Sequence, residues 1–217
     1  MVLSEWTLLA LKNFATINSG IVLMPGKFQR TISPESSILV EAELEDDFPE
    51  KFGIYDLNQF LGNVTTLKTP ELKFTDKFVT MKDDLFSLSY MSCDPELITT
   101  PPNKKLVIEE PDVSFELSNS TFTKVKRIAQ MNNLPNISVV GTGKELLLQV
   151  HDQTNSSQNF AKTKLGPSKR APFTATFKID NLKLIPDDYV VDIKLGAFAR
   201  FASGTRVLNY YICVETK

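Results

Sequence analysis

The 217-residue sequence has few of the residue types on which catalysis and covalent cross-linking depend. It contains one histidine, His151, and two cysteines, Cys93 and Cys213, which stand far apart without metal-binding or disulfide-rich spacing. We therefore interpret the cysteines as reduced thiols and expect neither a metal site nor a nucleophile paired with the histidine. The sequence also contains no cofactor-binding motif, so it argues against an enzyme.

Long hydrophobic runs are also missing, because no stretch approaches the roughly 18 apolar residues that a membrane-spanning helix needs. The early apolar stretch, residues 6–11, ends at Lys12 and has no basic residue before it. We therefore expect a soluble protein that is neither exported nor bound to a membrane. With 42% apolar and 23% charged residues, the composition is that of an ordinary globular protein with one or two cores.

A net charge of −2 hides an asymmetry between the two halves of the chain. Residues 1–103 contain 8 basic and 15 acidic residues, whereas residues 104–217 contain 16 basic and 11 acidic residues. The first part is therefore net −7 and the second net +5. A polyanionic partner is not excluded by the near-neutral total, but any basic surface must be local.

Most of the chain has the pattern of short strands separated by turn residues, without the alternating helices that a parallel sheet requires. We therefore predict antiparallel sheets and an α+β fold. The acidic run at 43–50 is interpreted as a solvated turn, and Gly141-Thr-Gly-Lys144 as a hairpin turn, because its spacing is not that of a phosphate-binding loop. The predicted strands are 20–23, 27–32, 37–44, 85–91, 137–140, 144–150, 172–179, 189–199 and 207–215.

Two segments, 4–17 and 119–132, have helical periodicity instead. Ser4 is the predicted N-cap of the first helix, and the two helices end near Asn18 and Asn132. The predicted buried faces consist of Leu8, Leu11, Phe14 and Ala15 in the first helix and Phe122, Val125, Ile128 and Ala129 in the second.

The two helical segments also align with each other. Residues 11–18 (LKNFATIN) and 125–132 (VKRIAQMN) share lysine, alanine and asparagine and keep every apolar position. A second pair of similar segments, 52–57 (FGIYDL) and 177–182 (FKIDNL), follows the helices in the same order along the chain. Each is predicted to be a strand that runs into a short helix. We infer two copies of one unit, with a longer polar loop at 152–168 in the second copy. Prolines in the intervening segment favour an extended connector, which predicts domains at 1–98 and 104–217 and a connector at 99–103.

The outward faces of these helices carry basic and neutral polar residues, which suit phosphate contacts without base reading. A lysine on a helix is often only part of a solvated surface. Lys12 and Lys126 are repeat-equivalent in a chain of negative net charge, and this favours the nucleic-acid interpretation. The predicted face consists of Lys12, Asn13, Thr16, Lys124, Lys126, Arg127 and Gln130, with Lys183 outward in the second short helix.

Two stretches of the first half, 11–21 (LKNFATINSGI) and 54–62 (IYDLNQFLG), are very similar to segments of the sliding clamps of T-even-type bacteriophages. These clamps are the processivity factors of the phage DNA polymerase. Weaker similarity at Asp94-Pro95, at Pro102-Asn103-Lys104 and in the closing strands extends the resemblance over most of the chain. The second half resembles the family mainly by its layout.

The resemblance implies an α+β DNA-clamp fold with two tandem similar domains, antiparallel sheets outside and helices lining a central hole around duplex DNA. It implies a homotrimeric ring without catalysis or cofactor, acting in the cytoplasm of the infected bacterium. The implied partners are double-stranded DNA of any sequence, the viral DNA polymerase, an ATP-driven clamp loader and late transcription factors.

In clamp families, partner peptides dock in an apolar pocket beside the connector and the final strands. Leu97, Ile98 and Tyr211 are the candidates here. The alternative for these residues is purely structural, with Leu97 and Ile98 anchoring the connector and Tyr211 in the core.

Two other functions compete with the clamp. A two-domain phage assembly protein without a DNA role would pack the two helices against a neighbouring subunit. A single-strand binder would need aromatic residues on a basic sheet face, and the phenylalanines mostly alternate in core-like positions instead.

Overall fold

The structure, a computed structural model, describes residues 1–104, 106–155, 157–168 and 170–215. The described residues form two compact units. One comprises residues 1–104 and 206–208, and the other residues 106–205 and 209–215. The exact domain bounds given above, and their origin as two copies of one unit, stay predictions.

The first unit contains two helices and three small antiparallel arrangements of strands. Strands β1 and β4 pair, β2 and β3 form a hairpin, and β5, β6 and β7 form a three-stranded sheet. A short 3₁₀ turn, Pro95–Leu97, follows. The elements are α1 (Glu5–Ile17), β1 (Ile21–Leu23), β2 (Gly26–Ile32), β3 (Ile38–Phe48), β4 (Phe52–Ile54), α2 (Leu57–Thr66), β5 (Glu71–Phe74), β6 (Phe78–Lys82) and β7 (Ser87–Met91).

Helix α1 confirms the first predicted helix. The Ser4 side chain accepts a hydrogen bond from the Thr7 backbone N–H, and Asn18 is the C-cap. Leu8 is only half-buried, which differs from the prediction, because it lies at the margin of a buried stripe that is centred near Thr7 and Phe14. That face packs against β3 and α2 and consists of Trp6, Thr7, Ala10, Leu11, Phe14, Ala15 and Ile17.

Aromatic residues fill the core of the first unit. The Phe74 ring lies nearly perpendicular to those of Phe48 and Phe52, with centroids 5.8 and 5.3 Å apart, and Phe60 and Tyr90 form a similar pair. Edge-to-face contacts are the geometry that the ring quadrupoles favour. The core therefore joins β3, β4 and α2 to the β5–β7 sheet.

The second unit contains one helix and two antiparallel sheets. One sheet has the strand order β11-β10-β9-β12, and strands β8, β13, β14 and β15 pair in that order in the other. Phe177, Tyr189, Phe201 and Tyr210 meet edge-on in its core. The elements are β8 (Val113–Leu117), α3 (Asn119–Met131), β9 (Asn136–Gly141), β10 (Glu145–His151), β11 (Ala161–Pro167), β12 (Phe173–Lys178), β13 (Tyr189–Ile193), β14 (Phe198–Ser203) and β15 (Leu208–Cys213).

One prediction about turns was wrong and one is confirmed. The acidic run is not a turn, because β3 continues to Phe48 with Leu44 and Phe48 buried and alternate acidic residues turned outward. The hairpin at 141–144 is confirmed, since β9 and β10 pair and Thr142 N–H donates to the Glu145 carbonyl at 2.9 Å.

The predicted strand at 189–199 is in fact two strands, β13 and β14, joined by a turn. Gly196 has φ +72° in this turn, a conformation that glycine adopts without strain. Apolar residues continue at every second position through the turn, at Ile193, Leu195, Ala197 and Ala199, and this alternation hid the break.

The polar stretch at 152–168 is not a loop throughout. Its end forms the edge strand β11, where Lys162 and Lys164 are exposed and Thr163 between them is half-buried. A polar edge strand has little apolar alternation, so periodicity alone does not find it.

The second short helix is only a 3₁₀ turn, Ile179–Asn181. In α2, the Asp56 carboxylate caps Gln59 N–H at 2.9 Å, whereas Lys178 supplies no side-chain cap to the second segment. Pro186 also disfavours helical backbone at the residue before it.

Candidate nucleic-acid interface and connector

Helix α1 presents a weakly charged outward face. Lys12 and Thr16 are exposed one turn apart, and Asn13 is half-buried beside them. The Thr16 hydroxyl donates to the Asn13 carbonyl at 2.7 Å, so part of this polar surface is satisfied within the helix. Leu9 is also outward, with 47% of its surface exposed. Lys12 is the only cation that this helix offers to a phosphate.

Helix α3 carries most of the positive charge among the predicted face residues. Lys124, Arg127 and Gln130 are exposed, as predicted, and neither cation forms an ion pair with a described residue. Ile128 was predicted to be buried and is 39% exposed, because it lies at the margin of the buried stripe of Phe122, Val125 and Ala129. The exposed surface of α3 is therefore cationic with apolar margins.

Lys126 differs from its neighbour Arg127. It is half-buried, its Nζ donates to the Leu182 carbonyl at 3.3 Å, and it lies 5.8 Å from the centroid of the Phe122 ring. Burial lowers the pKa of its ammonium group, because a charged group loses hydration there. Lys126 is thus the repeat equivalent of Lys12 in sequence but not in environment. Its predicted role toward DNA remains a prediction.

The two short segments bury their large apolar residues. Leu57, Phe60, Leu182 and Ile185 are buried, and Asn58 is exposed. Lys183 is half-buried, which differs from the outward placement predicted for it, because its segment is a 3₁₀ turn rather than a helix.

Asn18 has a role beyond ending α1, and sequence reasoning did not identify it. Its Nδ2 donates to the carbonyls of Ile32 at 2.9 Å and Thr99 at 3.0 Å, and its Oδ1 accepts from Gly20 N–H at 3.1 Å. The side chain is 6% exposed, so these bonds are shielded from water. A buried amide therefore ties the end of α1 to the connector segment.

The three candidate peptide-pocket residues have different environments. Leu97 is 68% exposed, whereas the adjacent Ile98 is 7% exposed and packs close to Gly20. Both belong to the first unit. Tyr211 belongs to the second unit, where it is buried in β15 with its ring edge-on to Phe198 at 6.1 Å. Their union in one pocket stays a prediction.

His151 lies in a polar ladder on the β9–β10–β12 sheet. Its Nε2 is 2.8 Å from the Ser138 hydroxyl, which is also 2.8 Å from the Thr176 hydroxyl. A hydroxyl does therefore approach the histidine, but Ser138 is 1% exposed and out of reach of a substrate. The described part of the chain contains no cluster of three or more histidine, cysteine or acidic side chains suited to a metal ion. Within the same residues, no helix has the length and apolarity needed to span a bilayer.

Helices on antiparallel sheets in each of two units are the architecture of DNA clamps, and the whole chain matches a solved structure of that class. This structure is A. fulgidus PCNA bound to the C-terminal region of FEN-1. The match has a TM-score of 0.72 and 14% identity, and it covers 100% of this chain and 97% of that one.

Sequence comparison defines the family more closely. Residues 4–85 match the family model described as DNA polymerase processivity factor. The chain is 30% identical to the sliding clamp of Vibrio phage KVP40, over 99% of both chains. It is 26% identical to the sliding clamp of Enterobacteria phage T4, over 99% of this chain and 97% of the relative. The protein belongs to the sliding clamp family, which confirms the resemblance to T-even-type phage clamps. Members are polymerase accessory factors rather than enzymes.

Proposed function

We propose that this protein encircles duplex DNA as a homotrimeric ring and tethers the viral DNA polymerase to its template. The observation that carries the proposal is the similarity to a phage sliding clamp over 99% of both chains. The exposed cations Lys12, Lys124 and Arg127 support the DNA contact, since they can contact the phosphate backbone of DNA of any sequence. The infected bacterial cytoplasm is the proposed site of action.

The charge of the chain favours topological retention over tight binding. Binding through Z phosphates weakens with salt at a log-log slope of about −0.9Z, so a strong grip needs many cations. The net charge is −2, and few of the predicted face residues are exposed cations. We therefore expect weak equilibrium binding and retention by encirclement.

Ring assembly is supported by sheet edges that lack a ladder partner, among them those of β7 and β11. The outer side of β5 meets the chain terminus, where Met1 and Leu72 exchange backbone hydrogen bonds of 2.8 and 2.7 Å. The outer side of β12 receives Glu215 N–H at Thr176 O, at 2.8 Å. Among the described strands, β7 and β11 each pair on one side only, as β2 and β8 also do. Such edges are templates for pairing with another chain.

We infer that β7 of one copy meets β11 of the next. Phe86 and Met91 are about two-thirds exposed beside β7, and Phe160 is similarly exposed beside β11. Exposed cations on β11 also complement the acidic first part of the chain. A contact between different edges is heterologous and closes a ring by rotation. Three copies complete the six-domain ring that the family resemblance implies.

Partner proteins are proposed to dock on the connector. The PCNA relative was solved with the C-terminal region of FEN-1 bound, which supports peptide docking in this fold. Leu97 is the most exposed of the candidate residues at 68%, with Ile98 and Tyr211 as further candidates. The viral polymerase, the clamp loader and late transcription factors are the proposed partners.

The proposed encirclement is tested by gel filtration, which measures whether labelled protein elutes together with DNA. Protein loaded by its clamp loader with ATP should elute with nicked circular DNA and be lost when the circle is cut. Blocking both ends of the linear DNA should restore retention, because the ring slides off open ends.

Omitting ATP or the loader provides the matched control, and retention should then fall to background. Equal retention on circular and open linear DNA would show that contacts rather than encirclement hold the protein. An assembly protein without a DNA role should elute separately from every form of DNA.

A further inference from the structure

One sheet of the second unit has a face that points away from α3. Phe122 of α3 and Leu148 of β10 line the same enclosed apolar core. Because side chains alternate along a strand, Leu147, Gln149 and His151 of β10 project from the other face of the sheet, which we call the open face. The open face is therefore separated by the sheet from the predicted DNA face of α3.

The strand register makes the open face basic. Lys162 of β11 pairs with Gln149 of β10, and Lys164 two residues further on points the same way. Lys178 of β12 joins them, because the register of β9 aligns it with His151. All three lysines are exposed. A surface of this kind attracts a polyanion.

The three lysines differ in their partners. Lys164 Nζ lies 2.5 Å from Glu145 Oε1, and Lys178 Nζ lies 3.3 Å from Glu215 Oε2. Lys162 forms no ion pair with a described residue. Exposed ion pairs contribute little stability, so the two paired lysines can exchange their partners for another anion. Lys162 is the cation most available to a phosphate.

A cavity of about 360 Å³ opens on this face, lined by β10, β12 and polar residues between β10 and β11. This volume lies in the lower part of the range of ligand sites. Its lining is uncharged apart from Asp152 and the titratable His151. Asp152 Oδ1 already accepts hydrogen bonds from the N–H and hydroxyl of Thr154 and from Asn155 N–H. The cavity therefore suits a neutral polar group.

Amide groups and one aromatic ring are available in this cavity. The side-chain amides of Gln149 and Gln158 make no hydrogen bond to another described residue. An amide offers a donor and an acceptor in one plane, which matches the edge of a nucleobase. Phe160 also lines the cavity, 63% exposed and two residues before Lys162. Its ring can stack on a base, while the lysine lies within reach of the adjoining phosphate.

We propose that the open face binds single-stranded DNA, with one base in the cavity and the backbone along the lysines. The base stacks on Phe160, its edge hydrogen-bonds to the Gln149 amide, and a phosphate contacts Lys162. Duplex DNA does not fit, because its bases are paired and stacked and cannot enter the cavity. A neutral sugar would leave the cations unused. An aromatic residue on a basic sheet face is the arrangement that single-strand binding requires.

The probe is a fluorescent oligothymidylate of about eight nucleotides, within the site sizes of single-strand binders. Fluorescence anisotropy follows its titration with the full chain at low salt. An abasic oligonucleotide of equal length should bind about tenfold more weakly, because it keeps the phosphates and loses base stacking. Phe160→Ala should weaken binding of the oligothymidylate by a similar factor. Phe28→Ala removes an exposed phenylalanine of the first unit and should change nothing.

Salt dependence tests the phosphate contact separately. For single strands, the log-log slope of affinity against salt is about −0.7 per phosphate contacted. Lys162→Met should therefore make the slope shallower by about 0.7. Lys73→Met removes an exposed lysine of β5 in the first unit and should leave the slope unchanged.

Two further variants separate this site from the proposed ring. Lys124→Glu with Arg127→Glu should leave oligothymidylate binding unchanged, because α3 lies on the other side of the sheet. Met91→Asp should also leave it unchanged, because one chain contains the whole site, although Phe160 adjoins the proposed β7–β11 contact. Loss of binding in either variant would overturn the proposal.

The proposal is also overturned by equal affinity for the abasic and thymidine strands, or by equal effects of the two phenylalanine variants. Competition by duplex DNA as strong as that by single-stranded DNA would overturn it, as would unchanged anisotropy at hundreds of micromolar protein. The DNA-retention experiment depends on ring closure around duplex circles, so the two tests can fail separately.

Discussion

The adjacent residues Lys126 and Arg127 show how environment separates two similar side chains. Arg127 projects from α3 into solvent, whereas the Lys126 ammonium group donates to the Leu182 carbonyl 56 positions further along the chain. A half-buried charge that has given up water depends on that local partner. The two positions should therefore respond differently to the same charge reversal.

We predict that Lys124→Glu with Arg127→Glu leaves stability within about 0.5 kcal/mol, because both sites are exposed. The double variant should reduce clamp-dependent DNA synthesis sharply. Lys126→Glu should cost about 1–3 kcal/mol of unfolding free energy, since it places a carboxylate beside a carbonyl oxygen. Urea denaturation and primer extension measure the two effects.

Lys73→Glu provides the control, because Lys73 is exposed on β5 outside the predicted DNA face. It should change neither stability nor synthesis. A collapse in the stability of the Lys124/Arg127 variant would show that these side chains are structural.

At the scale of elements, the strand edges decide how the protein can associate. Strand β13 is paired on both sides, by β8 and β14, whereas β7 is paired only by β6 among the described strands. An exposed apolar side chain on β7 can therefore contact a strand of another chain along the open edge, whereas one on β13 has no open edge beside it. Met91 on β7 is 64% exposed beside an open edge, and Val190 on β13 is 41% exposed where no edge is open.

Met91→Asp is predicted to weaken ring assembly while the isolated chain keeps its thermal stability. Burying a carboxylate in a subunit contact is unfavourable, so the dissociation constant should rise about tenfold or more. Sedimentation velocity across a dilution series measures this change. Val190→Asp is the matched control and should sediment like the wild type, and an equal shift in both variants would argue against β7 as the contact.

At the scale of the whole molecule, two clamp-fold units per chain constrain the assembly. Heterologous contacts between β7 and β11 leave neither of these two edges unpaired only when the ring closes. The acidic first part of the chain and the basic second part favour this head-to-tail order over like-to-like contact. In the proposed ring, tethering of the polymerase depends on closure of the assembly rather than on any single strong contact.

We predict a trimer in solution, which corresponds to three chains of 24.4 kDa, or about 73 kDa. Light scattering coupled to gel filtration at micromolar concentration measures the mass, and negative-stain images should show rings. A protein that is monomeric or dimeric throughout the micromolar range would contradict the ring as proposed.

Much of the secondary structure was predictable because it depends on residues that are close together in the sequence. Helical periodicity and the Ser4 cap identified α1, and glycine spacing identified the hairpin between β9 and β10. Strands β5, β6, β8 and β11 were missed, because short strands with polar or mixed faces lack clear alternation. The Asn18 link to Thr99 was missed for a different reason, since it joins residues 81 positions apart.

The sequence alone determined the α+β class, the antiparallel pairing, the ends of the two long helices and the residue types on their outward faces. These properties follow from periodicity, capping and turn chemistry, which act over a few neighbouring residues. Tertiary structure decided that Lys126 contacts Leu182 while Arg127 stays exposed, and that Ile98 is buried while Leu97 is not. It also placed Gln149 and Phe160 around one cavity. Burial and partner choice depend on which distant segments meet, and that is fixed only when the core packs.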